Sequence, residues 1–254
     1  MLLFRTVHII LLKLIYYILS LPLRIYRLLL HLIYLFKIIF KSHSLPIHYT
    51  YHNKSFLWSL ELGHYLIDIT GILEIVECLV QIIHPKNRSL LNEEKTIIRK
   101  VYGKEITIKH LTIDTYRTFM TSKALAFVGL NTLFINTSLS NELLVHETCH
   151  CLQYQRYGSV YILRALLAQN SKEGYEYGGL SFLKKWIHSG NINQFNYEQI
   201  AEVFTHYYIF TSNAIDSEYD NYSHYKDVYT IAHTKLLEAI NNQDSISKFL
   251  RLWI

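Results

Sequence analysis

The sequence contains little proline, glycine and cysteine, and its first 60 residues contain no acidic residue. Only 3 prolines and 9 glycines occur in 254 residues, which disfavours a disordered chain or a many-turned β architecture. The 3 cysteines are Cys78, Cys149 and Cys151, an odd number without a spaced framework, which argues against a disulfide scaffold. Charged residues make up 18% of the chain and hydrophobic residues 50%, so the chain can build a sizeable core.

The net charge of +5 belongs to the N-terminal segment. The first 60 residues carry seven basic residues, and Glu61 is the first acid. In the remainder, the other 18 of the 25 Lys and Arg residues are balanced by 20 Asp and Glu residues. Because that remainder is close to neutral, we expect no nucleic-acid partner.

Residues 1–41 are apolar with basic residues at intervals. On a helical wheel the basic residues fall within about half of the circumference and leave the other half apolar. Pro22 predicts a division into two helices. No apolar run reaches the roughly 18 residues of a clean transmembrane span. The pattern therefore favours contact with a membrane surface through residues 1–41, with Lys and Arg reaching toward lipid phosphates.

Two other interpretations of this segment stay open. One is a tilted span around residues 28–40, in which His31 and Lys37 would be costly. The other is a helical hairpin that buries its apolar face on the protein body. A cleavable signal peptide fits poorly because no small-residue cleavage site follows the apolar region.

The rest of the chain predicts an α+β, mostly helical domain with a small edge sheet. A linker-like stretch at residues 42–55 gives two predicted domains, a basic hydrophobic membrane-associating segment at 1–45 and a second domain at 46–254. Two segments have strand-like patterns, residues 106–115 and 124–135. Helices are expected at residues 56–84, 89–103, 140–157, 160–170, 179–190, 197–211 and 227–254.

His146 and His150 lie four residues apart in a segment with helical pattern, which places both imidazoles on one face. Two imidazoles in this arrangement can bind one tetrahedral Zn²⁺. Glu147, next to the first histidine, is then placed to act as general base toward a water whose pKa the metal lowers. The strand-like segment 124–135 just before it predicts an edge strand, to which an extended peptide can add.

A downstream carboxylate is expected to complete the metal site. Glu198 and Glu202 lie one helical turn apart. We favour Glu198 as the ligand, with Glu202 accepting the free N–H of a ligating histidine. Two alternatives stay open: Glu202 as ligand, with His206 one turn further, or two solvated acids that bind no metal.

Three further side chains are weaker candidates. Tyr175 and Tyr177 lie in a loop between the site helices and could donate to a tetrahedral oxyanion, in a chain that has 21 tyrosines. Cys149 precedes a ligand and could be a nucleophile, but on a helix it faces away from His146. We therefore interpret Cys149 as a buried structural thiol.

The stretch HETCHCLQYQ at residues 146–155 resembles the HELTHVWQYQ stretch of bacterial zincin-type metallopeptidase domains, some of which occur with contractile injection systems and polymorphic toxins. The likeness covers roughly residues 85–210 and includes residues 196–202, similar to the N-x-E-Q-Q-A helix of these domains. It implies a gluzincin-like fold with two histidines and a glutamate on zinc, which supports Glu198. This chain departs from the pattern at Cys149, Cys151 and His206.

These observations predict a membrane-associated zinc metallopeptidase that acts on a peptide or protein, with the bacterial inner membrane as its location. An alternative is a catalytically retired, zinc-stabilised binding or assembly module of a secretion or toxin system. A third hypothesis is a toxin whose basic N-terminus targets membranes. A fourth metal position filled by Cys149 would favour the module, and an open one would favour the enzyme.

Overall fold

A computed structural model describes residues 2–39, 54–83, 87–115, 126–135, 138–212 and 222–241. Helices dominate these ranges, and four short strands form one sheet, so the mostly helical α+β class is confirmed. The strands are β1 (Asn87–Ser89), β2 (Thr112–Asp114), β3 (Ala126–Val128) and β4 (Thr132–Ile135). The helices are α1 (Leu2–Ile39), α2 (Lys54–Thr70), α3 (Ile72–Ile83), α4 (Asn92–Tyr102), α5 (Asn141–Tyr157), α6 (Val160–Gln169), α7 (Gly179–Ser189), α8 (Tyr197–Thr211) and α9 (Tyr222–Asn241).

The chain forms two compact units. Among the described residues, one unit contains α1, α2, α3 and residues 157–163, and the other contains the sheet and most of the remaining helices. The predicted domain boundary at residue 45 lies outside the described residues, as does the end of the predicted last helix beyond residue 241.

In the first unit, α1 runs without interruption from Leu2 to Ile39, so the predicted division at Pro22 is wrong. Proline removes one backbone N–H and disturbs one hydrogen bond. The Pro22 ring is exposed, whereas the next two residues, Leu23 and Arg24, are buried. Burial of Leu23 and Arg24 on the opposite face therefore stabilises a continuous helix despite the proline.

For Lys13 and Arg24, the predicted direction of the basic side chains in α1 is also wrong. Lys13 and Arg24, expected to reach toward lipid phosphates, are 4% and 2% exposed. Lys13 Nζ lies 3.0 Å from Glu77 Oε2, and Arg24 Nη2 lies 2.5 Å from Glu74 Oε1. The apolar face of α1, which the hairpin alternative would bury on the protein body, is exposed at positions such as Leu11, Ile18 and Ile33.

In the second unit, the sheet has the order β1-β2-β4-β3. The β2–β4 pair is parallel, and both edge strands are antiparallel to their neighbours. The strand-like segment 124–135 supplies β3, which lies at one edge, and β4. Only Thr112–Asp114 of the predicted segment 106–115 is a strand, since Ile108–His110 form a 3₁₀ turn. β1 was not predicted, because three residues are too short to show an alternating pattern.

The two helices predicted to hold the metal ligands, α5 and α8, are confirmed. α5 ends at Tyr157, directly before Gly158, whose φ of +75° suits glycine after a helix C-terminus. α8 begins with a capping box, in which the Asn196 side chain accepts from the Gln199 backbone N–H and the Gln199 side chain accepts from the Asn196 backbone N–H. These signals fix where each helix begins or ends, and hence which residues face each other.

Candidate metal centre

α5 and α8 bring His146, His150 and Glu198 together. His146 Nε2 lies 3.2 Å from Glu198 Oε2, and His150 Nε2 lies 3.3 Å from the same oxygen. One ligand atom from each of the three residues lies within 4.8 Å of the others. The i, i+4 spacing on α5 sets the two imidazoles side by side, with ring centroids 5.1 Å apart.

The donor set fits zinc in type, and its two separations from Glu198 fit in size. Two imidazole nitrogens and one carboxylate oxygen form the protein ligand set of gluzincin-like catalytic zinc sites. A tetrahedral ion with bonds of 2.0–2.1 Å holds its ligand atoms roughly 3.3 Å apart. The distances from Glu198 Oε2 to the two histidine nitrogens, 3.2 and 3.3 Å, match that separation.

Glu198 is fully buried, at 0% exposed. Burial alone raises the pKa of its carboxyl, but the facing rings of His150 and His146 outweigh burial and lower it well below the ordinary value. The second carboxylate oxygen, Oε1, accepts a hydrogen bond from Gln169 Nε2 at 2.9 Å. Glu198 is therefore held as an anion whose Oε2 faces both imidazoles.

Glu198 raises the pKa of both imidazoles. Burial lowers the pKa of His146, but its contacts with Glu198 and Glu202 outweigh burial and raise it to about 10. Burial likewise lowers the pKa of His150, and Glu198 outweighs it, so the net shift is upward. The cluster therefore attracts a positive charge, either as protons on the imidazoles or as a metal ion.

Glu202 lies on the other side of the His146 ring from Glu198. Its Oε1 is 3.3 Å from His146 Nδ1, and this contact lowers the pKa of its carboxyl. A carboxylate on the nitrogen that does not face the metal fixes the tautomer and raises the basicity of the ligand. The structure thus places Glu198 within the cluster and Glu202 on the opposite side of the His146 ring.

Glu147 is buried next to the cluster on α5, at 7% exposed. Burial raises the pKa of its carboxyl, the rings of His150 and His146 lower it in part, and the net shift is upward. A carboxylate with a raised pKa is a better proton acceptor than one in water. The electrostatic surroundings of Glu147 therefore suit a general base.

Two glutamines in this site were missed by the sequence analysis. Gln153 Oε1 accepts from His150 Nδ1 at 2.9 Å, and Gln153 Nε2 donates to the Tyr197 carbonyl at 3.0 Å. Gln153 thereby orients His150 so that Nε2 faces Glu198. Its position three residues after His150 on one helix was a usable signal. Gln169 lies on α6, and no spacing in the sequence connects it with the motif.

The loop before α7 places Tyr175 beside the cluster. The Tyr175 ring centroid lies 5.9 Å from that of His146, and burial raises the pKa of its phenol to about 12. Tyr177, also a candidate, has its hydroxyl 2.8 Å from His206 Nδ1 and 2.7 Å from the Tyr229 hydroxyl. Tyr175 is therefore the better placed of the two to reach a group bound at the cluster.

The Cys149 thiol is fully buried and lies on another side of α5. It is in contact with the Tyr102 hydroxyl, and Gln153 Nε2 lies 3.7 Å from its sulfur. Among the described residues, the group that could hold a metal ion consists of His146, His150 and Glu198 without Cys149. This position agrees with a structural thiol and not with a fourth ligand.

In comparisons with known proteins, no protein-family model, no curated protein and no solved structure matches the chain significantly. The candidate metal centre therefore stands on its own geometry.

Proposed function

We propose that this protein is a membrane-associated zinc metallopeptidase of the gluzincin-like type. The observation that carries the proposal is the convergence of His146, His150 and Glu198 from two helices, with Glu198 Oε2 at 3.2 and 3.3 Å from the two histidine nitrogens. The resemblance of residues 146–155 to bacterial zincin domains supports the same assignment.

The residues around the cluster supply the roles that peptide hydrolysis needs. Zinc, when bound, lowers the pKa of a water and polarises a carbonyl. Glu147 accepts the proton of the attacking water and passes it to the leaving amine. Glu202 and Gln153 hold the two imidazoles in orientation through their second nitrogens. Tyr175, neutral because its pKa is about 12, can donate a hydrogen bond to the developing oxyanion.

The substrate class that we propose is an extended peptide or a protein segment. β3 is an edge strand of the sheet, and an edge offers backbone N–H and C=O groups for the addition of a peptide strand. Enzymatic use of the metal is favoured over a retired binding module because Glu147 is present and buried and Cys149 lies outside the cluster.

Membrane association is proposed on the basis of α1. Among the described residues, the stretch Val7–Ile33 is long and apolar enough to cross a membrane, and 33% of its most apolar part is buried within the protein. A core helix of a water-soluble protein would be mostly buried. Together with the bacterial resemblance, this favours the bacterial inner membrane as the location.

The test of the enzymatic proposal is Glu147→Gln in the full-length protein, purified in detergent. We expect bound zinc to stay at the wild-type level and hydrolysis of a peptide library to fall by about 10²–10⁴-fold, because only the proton acceptor is lost. Glu142→Gln, the same change in the first turn of α5, is the matched control and should keep full activity. Full hydrolysis in Glu147→Gln would contradict the mechanism, and wild-type protein that binds zinc without hydrolysing any peptide would favour the module.

A further inference from the structure

The distribution of side chains in α3 is the reverse of that in a water-soluble helix. Glu74, Glu77 and Gln81 are buried, at 3%, 7% and 0% exposed. The opposite face consists of large apolar side chains that are each between 50% and 66% exposed. These are Ile72, Ile75, Val76, Leu79, Ile82 and Ile83.

α1 shows the same reversal over a greater length. Between Val7 and Ile33 its exposed face is apolar at nearly every position, with Ile18 the most exposed at 63%. Four of its polar side chains, Lys13, Ser20, Arg24 and His31, lie on the opposite face and are at most 4% exposed, whereas His8 is exposed. The exposed face covers almost half of the helical circumference and is continuous along the helix.

The buried polar faces meet each other along an antiparallel pair. Near the start of α1, Lys13 pairs with Glu77. Further along, Arg24 Nη1 donates to the Asp68 carbonyl at 2.8 Å, and His31 stacks on Trp58 with ring centroids 4.8 Å apart. As residue numbers rise along α1, those of the partners fall, so α2 and α3 together run back along α1.

Gly71 allows α2 and α3 to follow one another along α1. Its φ is +68°, and a Cβ at this position would lie 2.8 Å from the Tyr17 ring. The Tyr17 hydroxyl donates to the Ile69 carbonyl at 2.6 Å. Tyr17 therefore packs against the glycine and hydrogen-bonds to the backbone where α2 ends.

Residues 157–163 complete the polar interior of this unit. The Ser159 backbone N–H lies 3.0 and 3.1 Å from the two oxygens of the Asp68 carboxylate. The Ser159 hydroxyl donates to the His64 carbonyl at 3.2 Å. The Asp68 carboxylate and the Ser159 hydroxyl, which would be costly in hydrocarbon, are thus hydrogen-bonded within the unit.

We infer that α1, α2 and α3 form a helical hairpin embedded in the hydrocarbon of a bilayer, with lipid acyl chains covering its exposed apolar faces. In a membrane, ionisable side chains face the interior of a helix bundle and pair with one another, as Lys13 and Arg24 do with Glu77 and Glu74. Val7–Ile33 extends about 40 Å at 1.5 Å per residue, enough to cross a core of about 30 Å with some tilt.

This inference rests on the proposed membrane association and deepens it, but it is independent of the zinc chemistry. A basic helix lying on the surface would be held by lipid phosphates and released by salt. An embedded hairpin is held by burial of apolar surface, which salt does not weaken. The two arrangements therefore differ in extraction and in the part of the lipid that they contact.

The test uses the full-length protein in bacterial membranes and in vesicles of phosphatidylglycerol and phosphatidylethanolamine that contain a phospholipid with a diazirine in its acyl chain. We expect the protein to stay in the membrane through high salt and alkaline carbonate. After illumination, mass spectrometry should locate adducts on the exposed faces, at positions such as Ile18 and Leu79, and none at Glu77 or Arg24. Leu79→Glu should reduce labelling of α3 several-fold, whereas the matched control Leu79→Phe should keep it.

Three results would overturn the inference: release by salt with cross-links to headgroups only, a water-soluble oligomer without acyl-chain adducts, or a mature chain that lacks α1. Lipid labelling is measured without any substrate, so the two proposals can fail separately. Inactive protein with acyl-chain adducts would contradict the peptidase proposal and support the embedded hairpin. Active protein without adducts would contradict the embedded hairpin and support the peptidase proposal.

Discussion

Glu74 and Glu77, in the unit formed by α1–α3, lie against Arg24 and Lys13, and arginine and lysine are ordinarily cations at physiological pH. Glu198, in the second unit, lies against His146 and His150. Imidazoles are positive only when they hold a proton. Both units bury carboxylates. In the first unit the carboxylates face lysine and arginine side chains, and in the second unit Glu198 faces imidazoles, whose protons can be replaced by a metal ion.

This difference has a functional meaning. A Lys–Glu pair leaves no place for another ion, because the ammonium group occupies it. Two imidazoles that face a buried carboxylate can give up their protons and present lone pairs to a metal ion in the same position. The charge arrangement of the first unit therefore serves structure, and that of the second suits a metal centre.

The largest expected effect concerns the candidate metal centre in the second unit. Glu198→Ala removes the carboxylate that faces both imidazoles, so we expect zinc content after gel filtration to fall to about a tenth of the wild-type level or less. Metal analysis of the full-length protein in detergent measures this. Wild-type zinc content in Glu198→Ala would show that Glu198 is not a ligand.

Glu202→Ala is the matched comparison on the same helix. Because Glu202 contacts the other nitrogen of His146 at 3.3 Å, its loss should weaken zinc binding by only about 10–100-fold. Competition with a chromophoric chelator can measure that difference. If Glu202→Ala lost more zinc than Glu198→Ala, the roles of the two acids would be reversed.

The next prediction concerns the buried pair of Lys13 and Glu77. Glu77→Gln removes the charge that faces the buried Lys13, so we expect the free energy of unfolding to fall by about 3–5 kcal/mol. SDS titration in mixed micelles, followed by circular dichroism, measures the change. Glu93→Gln, at an exposed position of α4, controls for the substitution itself.

The double variant Lys13→Met, Glu77→Met separates pairing from packing. Replacing both members of a buried pair by apolar residues is often neutral or stabilising, so most of the loss in the single variant should be recovered. A double variant as unstable as Glu77→Gln would mean that the side chains matter by shape and not by charge.

The local parts of this fold could be predicted from the sequence. The bounds of α5 and α8 follow from the glycine after one helix and the capping box before the other. In α1, the wheel separated apolar from basic residues correctly, but it could not say which face is buried. That depends on Glu74 and Glu77, which come some fifty residues or more later in the chain.

The candidate metal centre likewise has a part that follows from local sequence and a part that depends on the tertiary fold. His146, Glu147 and His150 are a local pattern, and Glu198 followed from the chemistry that the pattern needs. Gln169 reaches Glu198 from a separate helix, and only the tertiary fold creates that contact. Tyr175 and Tyr177 are two residues apart, so sequence alone could not decide which of them lies beside His146.

His233 adds a third case to the comparison of buried charges. It is 7% exposed, and its Nε2 donates to the Val101 carbonyl at 2.8 Å. Burial lowers its pKa to about 4, and the carbonyl opposes burial only in part. His146, beside two carboxylates, has a pKa raised to about 10. The partner group therefore decides whether a buried imidazole in this unit is neutral or charged.

The smaller of the two single-residue changes in the free energy of unfolding is one that depends on pH. Since the folded pKa of His233 is about 4 and the unfolded value is about 6.5, the unfolded chain takes up a proton first as the pH falls. The contribution of neutral His233 is complete above about pH 6.5 and is lost as the pH falls toward 4, by about 3 kcal/mol in total. His233→Gln keeps a donor for the Val101 carbonyl but does not titrate. Urea unfolding at a series of pH values should therefore show a shallower acid loss in the variant. Equal slopes would mean that His233 is protonated in the folded protein and that a carbonyl suffices to charge a buried imidazole here.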